Sequence, residues 1–175
     1  MKPRFGPNRI TQLAQSYWNY SSPAQREREH EIIDNRAPVF RQRGYLTRDD
    51  LIVLTRWKSP RVIPRVEQNA GAFVQEVTRL ALSPGISEEM RIKALPILDG
   101  VQWPVASVVL HFGFENHYPI LDFRALWSLE EPQPPKYTLS LWLRYTDFCR
   151  QYSVTHQVSM RDLDRALWTY SKENQ

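Results

Sequence analysis

One cysteine, Cys149, is the whole thiol content of this 175-residue chain. That excludes an internal disulfide framework and a cysteine-ligated zinc or iron–sulfur centre. Cys149 follows Phe148 in an aromatic stretch, the setting of a buried small hydrophobe rather than a nucleophile. The four histidines, His30, His111, His117 and His156, are scattered, with no pair at metal-ligand spacing. There is no Gly-rich phosphate loop, no dinucleotide fingerprint and no nucleophile elbow. No metal and no cofactor is expected. No apolar run approaches the roughly 18 residues needed to span a bilayer. The opening MKPRFGPNRITQ has no apolar core of signal-peptide length. No membrane partner and a cytoplasmic location are the expectations. Alternating strand patterns and internal repeats are also absent.

What is present is apolar and basic. The apolar fraction, 42%, is enough for a sizeable core, in one domain or two small lobes. A net charge of +4 favours a polyanionic partner. The 6 Trp and 8 Tyr serve a core and would also serve a base pocket.

Helical spacing recurs along the chain. Residues 1–8, rich in Pro and Gly, read as a loose tail. Ile10, Leu13, Ala14, Tyr17 and Trp18 form a helical stripe. A charged helix starts at Ser22-Pro23 and is expected to stop at Pro38. Arg26, Arg28, Arg41 and Arg43 read as surface. Thr47 through Asp50 forms a capping pattern before LIVLTRWK. Ser87 and Ser159 cap later helices, and Glu130 through Pro135 reads as a rigid polar loop. The fold class predicted is all-α, with about nine or ten helices.

The segment 95–129 holds the densest information. Gly100 sits where a chain leaving one helix needs positive φ, and Pro104 suits the first turn of the next. Val105, Val108, Val109 and Phe112 recur at helical spacing. A polar break, Glu115-Asn116-His117, leads to Asp122, an N-cap position ahead of Ala125, Leu126 and Leu129.

This segment resembles the signature region of the helix-hairpin-helix DNA glycosylases, the superfamily of endonuclease III and the alkyladenine glycosylases. The family hairpin, L-P-G-V-G-x-x-x-A, is matched by Leu98 through Ala106. The Pro-containing loop and catalytic Asp of the family are matched by Tyr118-Pro119-Ile120-Leu121-Asp122, without a gap from Gly100. The resemblance covers about a fifth of the chain. It implies a two-lobed helical bundle flanking a cleft, with the helix-hairpin-helix at 91–114 and the Asp-bearing loop and helix at 115–130. It implies a double-stranded, damaged or modified DNA partner and Asp122 as the catalytic carboxylate. Gly100, Gln102 and Trp103 of the hairpin would then contact DNA. Lys58, Arg61 and Arg65 form the best candidate phosphate track, and Arg124 is a further candidate backbone contact. Trp57, His117 and Tyr118 are the candidate walls of a base pocket.

The hairpin also departs from the family. The amine nucleophile of bifunctional members falls on Pro104, so Schiff-base lyase chemistry by that route is excluded. Gln102 replaces the second hairpin Gly and Asp99 replaces the Pro, both unfavourable to gripping a phosphate through backbone N–H groups. A monofunctional base-releasing enzyme is the first expectation. A binding or interaction scaffold that kept the fold without the activity is the second.

Overall fold

A computed structural model describes all 175 residues and is all-helical, without strands. The α-helical segments are α1 (Ile10–Ser16), α2 (Pro23–His30), α3 (Ala37–Arg43), α4 (Arg48–Lys58), α5 (Ile63–Val66) and α6 (Gly71–Leu82). They continue with α7 (Glu88–Ala94), α8 (Trp103–Gly113), α9 (Phe123–Ser128), α10 (Leu139–His156) and α11 (Met160–Asn174). Short 3-10 turns join several of them. The chain divides into two compact units: residues 23–115, and residues 1–22 together with 116–175.

In the unit of residues 23–115, the charged helix does not stop at Pro38. A π-helical turn, Glu31–Arg36, joins α2 to α3 in one rod. Proline removes one N–H and crowds the carbonyl four residues back. Widening the preceding turn gives that carbonyl room, so the rod continues through Pro38. The Thr47 capping box forms as expected, with Asp50 returning a bond to the Thr47 N–H at 2.9 Å. Asp50 is buried and also pairs with Arg43 and, at 3.5 Å, with Arg36. Arg43 is therefore half-buried and part of that cap, not free surface. Arg91 reaches under the end of α6, donating to the carbonyls of Ala81 and, at 2.9 Å, Ser83, with its guanidinium over the Phe114 ring. Residues 105–112 of α8 are buried around the whole circumference, against α4, α3, α6 and α7.

In the other unit, α11 is the central element, with α1, α9 and α10 packed on it. Ile10, Leu13, Leu126, Leu163 and Leu167 supply buried apolar surface, each worth about 1.5–3 kcal/mol relative to exposure. The N-terminal segment is not loose. The Lys2 N–H donates to the Leu129 carbonyl at 3.2 Å and the Arg4 N–H to that of Ser128 at 2.9 Å. Phe5 is buried against Tyr170, and Arg4 lies over the Trp127 ring while its Nε donates to the Trp127 carbonyl at 2.7 Å. These contacts satisfy orphan carbonyls at the end of α9, which composition alone does not reveal.

Candidate functional site

The candidate residues fall in both units. The hairpin set, Gly100, Gln102, Trp103, Lys58, Arg61, Arg65 and Trp57, belongs to the unit of residues 23–115. Asp122, Arg124, His117 and Tyr118 belong to the other.

The hairpin turn depends on Gly100 for two reasons. Its φ is 78°, in the left-handed region. A Cβ there would also stand 2.7 Å from Val66 Cγ2, 3.0 Å from the Val66 backbone nitrogen and 3.1 Å from Arg65 Cβ. The turn thus lies directly on the end of α5, with Leu98 and Val101 buried on either side. Asn69 fixes it from below. Its buried amide accepts from the Asp99 N–H at 2.9 Å and donates to the Asp99 and Val66 carbonyls, both at 2.9 Å. Sequence reading did not single out Asn69, because its partner in the hairpin lies 30 residues further along the chain.

From that turn α8 starts with Gln102 extended and no side-chain cap on its first N–H groups. Gln102 is exposed, Trp103 is half-buried, and Pro104 in the first turn contributes no N–H. Arg65 adjoins Gly100 through its Cβ, and Arg61 and Arg65 are both exposed. Lys58 is half-buried in the last turn of α4. Of the basic track, Arg65 thus neighbours the hairpin turn. Trp57 is half-buried and meets the Phe112 ring edge-on at 5.6 Å. It anchors α4 to α8.

In the other unit, Asp122 is the N-cap of α9. Its Oδ1 accepts from the Arg124 N–H at 2.8 Å, and the residue is half-exposed. The loop before it is held from within. Tyr118 is 2% exposed, stacks on Trp142 at 6.0 Å and 8°, and carries the Arg150 guanidinium over its ring at 4.7 Å. Buried with those two partners on its ring, Tyr118 is a core residue that supports the loop rather than a pocket wall. His117 is exposed and its carbonyl accepts from Arg150 Nε at 3.0 Å. The Tyr145 hydroxyl donates to the Ile120 carbonyl at 3.0 Å. Burial, and then Cys149, Asp164 and Asp122, push the Tyr145 phenol well above its usual 10. The Arg124 guanidinium lies over the Phe123 ring at 5.0 Å and near Trp168 at 5.8 Å.

Tyr137, not singled out by sequence, lies in the electrostatic field of Asp122. Burial first, then the Asp122 carboxylate, raise its phenol above the usual range. The same unit contains a cavity of about 330 Å³ between the 131–136 loop and the start of α10. Cys149 is fully buried, and burial raises its thiol well above the ordinary range, so it is no nucleophile. No group of His, Cys, Asp and Glu side chains is arranged to hold a metal ion. No helix is long and apolar enough to cross a membrane. No family model, curated protein or solved structure matches this chain.

Proposed function

We propose that this protein is a monofunctional DNA glycosylase-like hydrolase that releases a modified or mismatched base from double-stranded DNA. The observation that carries the reading is Asp122, a half-exposed carboxylate oriented at a helix start by the Arg124 N–H at 2.8 Å. As the C1′–N bond of the nucleotide breaks, positive charge builds on the sugar. A fixed carboxylate stabilises that charge and orients the water that attacks C1′. The electron pair leaves with the base, which takes up a proton, and the water's proton is lost. Pro104 leaves no amine at the family's lyase position, so the strand is not cut by β-elimination. Base flipping exposes C1′ to a carboxylate outside the duplex.

The test is base release, followed by mass spectrometry, from duplexes carrying a broad set of base modifications. Wild type is expected to release at least one base and leave an intact strand with an abasic site. Asp122→Asn is expected to lower release by about 10²–10⁴-fold. Release by Asp122→Asn at the wild-type rate sinks the assignment.

A second reading, a nucleic-acid-binding or protein-interaction scaffold without activity, is motivated by the hairpin's departures from the family. Asp99 and Gln102 are exposed there, and Pro104 removes a donor from the α8 N-terminus. Salt-dependent duplex binding with no release of any base would select it.

A further inference from the structure

We infer that the N-terminal segment and α9 carry a row of arginines, Arg124, Arg4 and Arg9, that binds the phosphate backbone of duplex DNA. The choice of partner rests on the function proposed above, and the row lies in the same unit as Asp122. Residues 1–26 hold Lys2, Arg4, Arg9 and Arg26 and no Asp or Glu. Their first residues are fixed on the fold: the Lys2 and Arg4 N–H groups donate to the Leu129 and Ser128 carbonyls, and Phe5 is buried.

These arginines rest on rings rather than on carboxylates. Arg4 lies 4.5 Å over the Trp127 ring and Arg9 5.4 Å over that of Tyr170, and the two rings are 6.2 Å apart. Arg124 precedes Trp127 by one turn of α9 and lies over Phe123 at 5.0 Å. None of the three forms an ion pair, whereas Arg144, Arg161 and Arg165 of the same unit pair with Glu131, Asp164 and Asp162. Arg4 and Arg9 are exposed, and Arg4 spends only its Nε on the Trp127 carbonyl, so its Nη groups remain donors. A guanidinium already held on a ring loses less rotamer freedom when a ligand arrives. The carboxylates bordering the row are Asp122, Glu130 and Glu173. Asp122 accepts from the Arg124 N–H, and Glu173 accepts from the Tyr20 hydroxyl at 3.2 Å.

Guanidinium donors without a carboxylate match the oxygens of a phosphate. The covered rings select the kind of nucleic acid. A single strand is held by bases stacked on open aromatic faces. Trp127 and Tyr170 carry Arg4 and Arg9 on their rings, so the surface offers charge in place of a stacking platform. That suits a duplex, whose bases stay inside and whose backbone faces out. Arg124 stands two residues from Asp122, so a backbone held by the row passes beside the carboxylate.

The experiment measures binding of the full-length chain to an undamaged fluorescent duplex by anisotropy, between about 50 and 200 mM salt. Wild type is expected to bind, with log K falling linearly as log salt rises. Arg4→Gln/Arg9→Gln is expected to weaken binding at least tenfold at the lower salt and to make the slope shallower by about 2. Because Arg4 also holds the Trp127 carbonyl, Lys2→Gln/Arg9→Gln is measured beside it. Neither of those side chains makes a hydrogen bond, so a similar loss of slope is expected with unchanged circular dichroism. Arg26→Gln/Arg28→Gln, which removes the same charge from α2, should keep the wild-type slope. No duplex binding by wild type, full binding by both N-terminal variants, or an equal loss in the α2 variant overturns the inference. Tighter binding to the single strand or to phosphatidylserine vesicles than to the duplex overturns it as well. Base release by wild type and Asp122→Asn, measured on the same preparations, reports separately on the function proposed above.

Discussion

The Gly100 turn and the Asp122 loop are both short connections leading into helices, yet they are fixed in opposite ways. The Gly100 turn is held at its own backbone: the Asn69 amide engages Asp99, and Val66 leaves no room for a Cβ. The Asp122 loop is held through its neighbours. Tyr118 is stacked under Arg150, the Ile120 carbonyl is tied to Tyr145, and the carboxylate itself stays half-exposed. Changes in the first should be felt as lost stability. A change at the Asp122 side chain should be felt mainly as lost chemistry.

Four stability measurements sharpen or break that contrast. The largest loss is expected for Gly100→Ala, which combines positive φ with contacts near 3 Å to the Val66 backbone. About 2–4 kcal/mol is expected by urea unfolding; a loss under about 1 kcal/mol would show that the turn yields. Asn69→Ala removes three hydrogen bonds and strands the Asp99 N–H, so about 1–3 kcal/mol should go.

Tyr145→Phe leaves the Ile120 carbonyl without its donor, at about 1 kcal/mol near neutral pH. It also has a pH signature. The folded Tyr145 phenol titrates well above the unfolded value of 10, so the native state binds more protons there. Its stabilising contribution is complete below pH 10 and disappears as pH rises toward the folded value. The phenylalanine variant should lose less stability than wild type above that pH. Asp122→Asn should cost least, within about 0.5 kcal/mol, because Asn caps a helix as well as Asp does. A large loss there would make the carboxylate a structural group and dissolve the contrast.

Much of this was legible in residue order because the signals are local. Gly100 at positive φ, the Thr47 capping box and the Asp122, Ser87 and Ser159 caps each depend on residues within one turn. What escaped depends on partners far along the chain. Residues 1–8 look unstructured by composition, yet Lys2 and Arg4 bond to Leu129 and Ser128. Pro38 looks like a stop because a proline rule assumes a regular α-turn before it; the wider turn at 31–36 suspends that assumption. Tyr118 looks available beside Asp122 until Trp142 and Arg150 occupy its ring. The hollow between the proline-rich 131–136 loop and α10 depends on how the loop folds back on the helix, which the order of residues 131–144 does not encode.

The Asn69 side chain is at once donor and acceptor, and that makes the hairpin vulnerable to chemical ageing. Loss of ammonia would turn the amide into a carboxylate whose oxygens face the Asp99 and Val66 carbonyls, so attraction becomes repulsion after a mass change of about one dalton. Burial shields the amide while the fold is closed. Each excursion to the unfolded chain lifts that shield, and the shelf life of the hairpin should therefore track how often the protein opens.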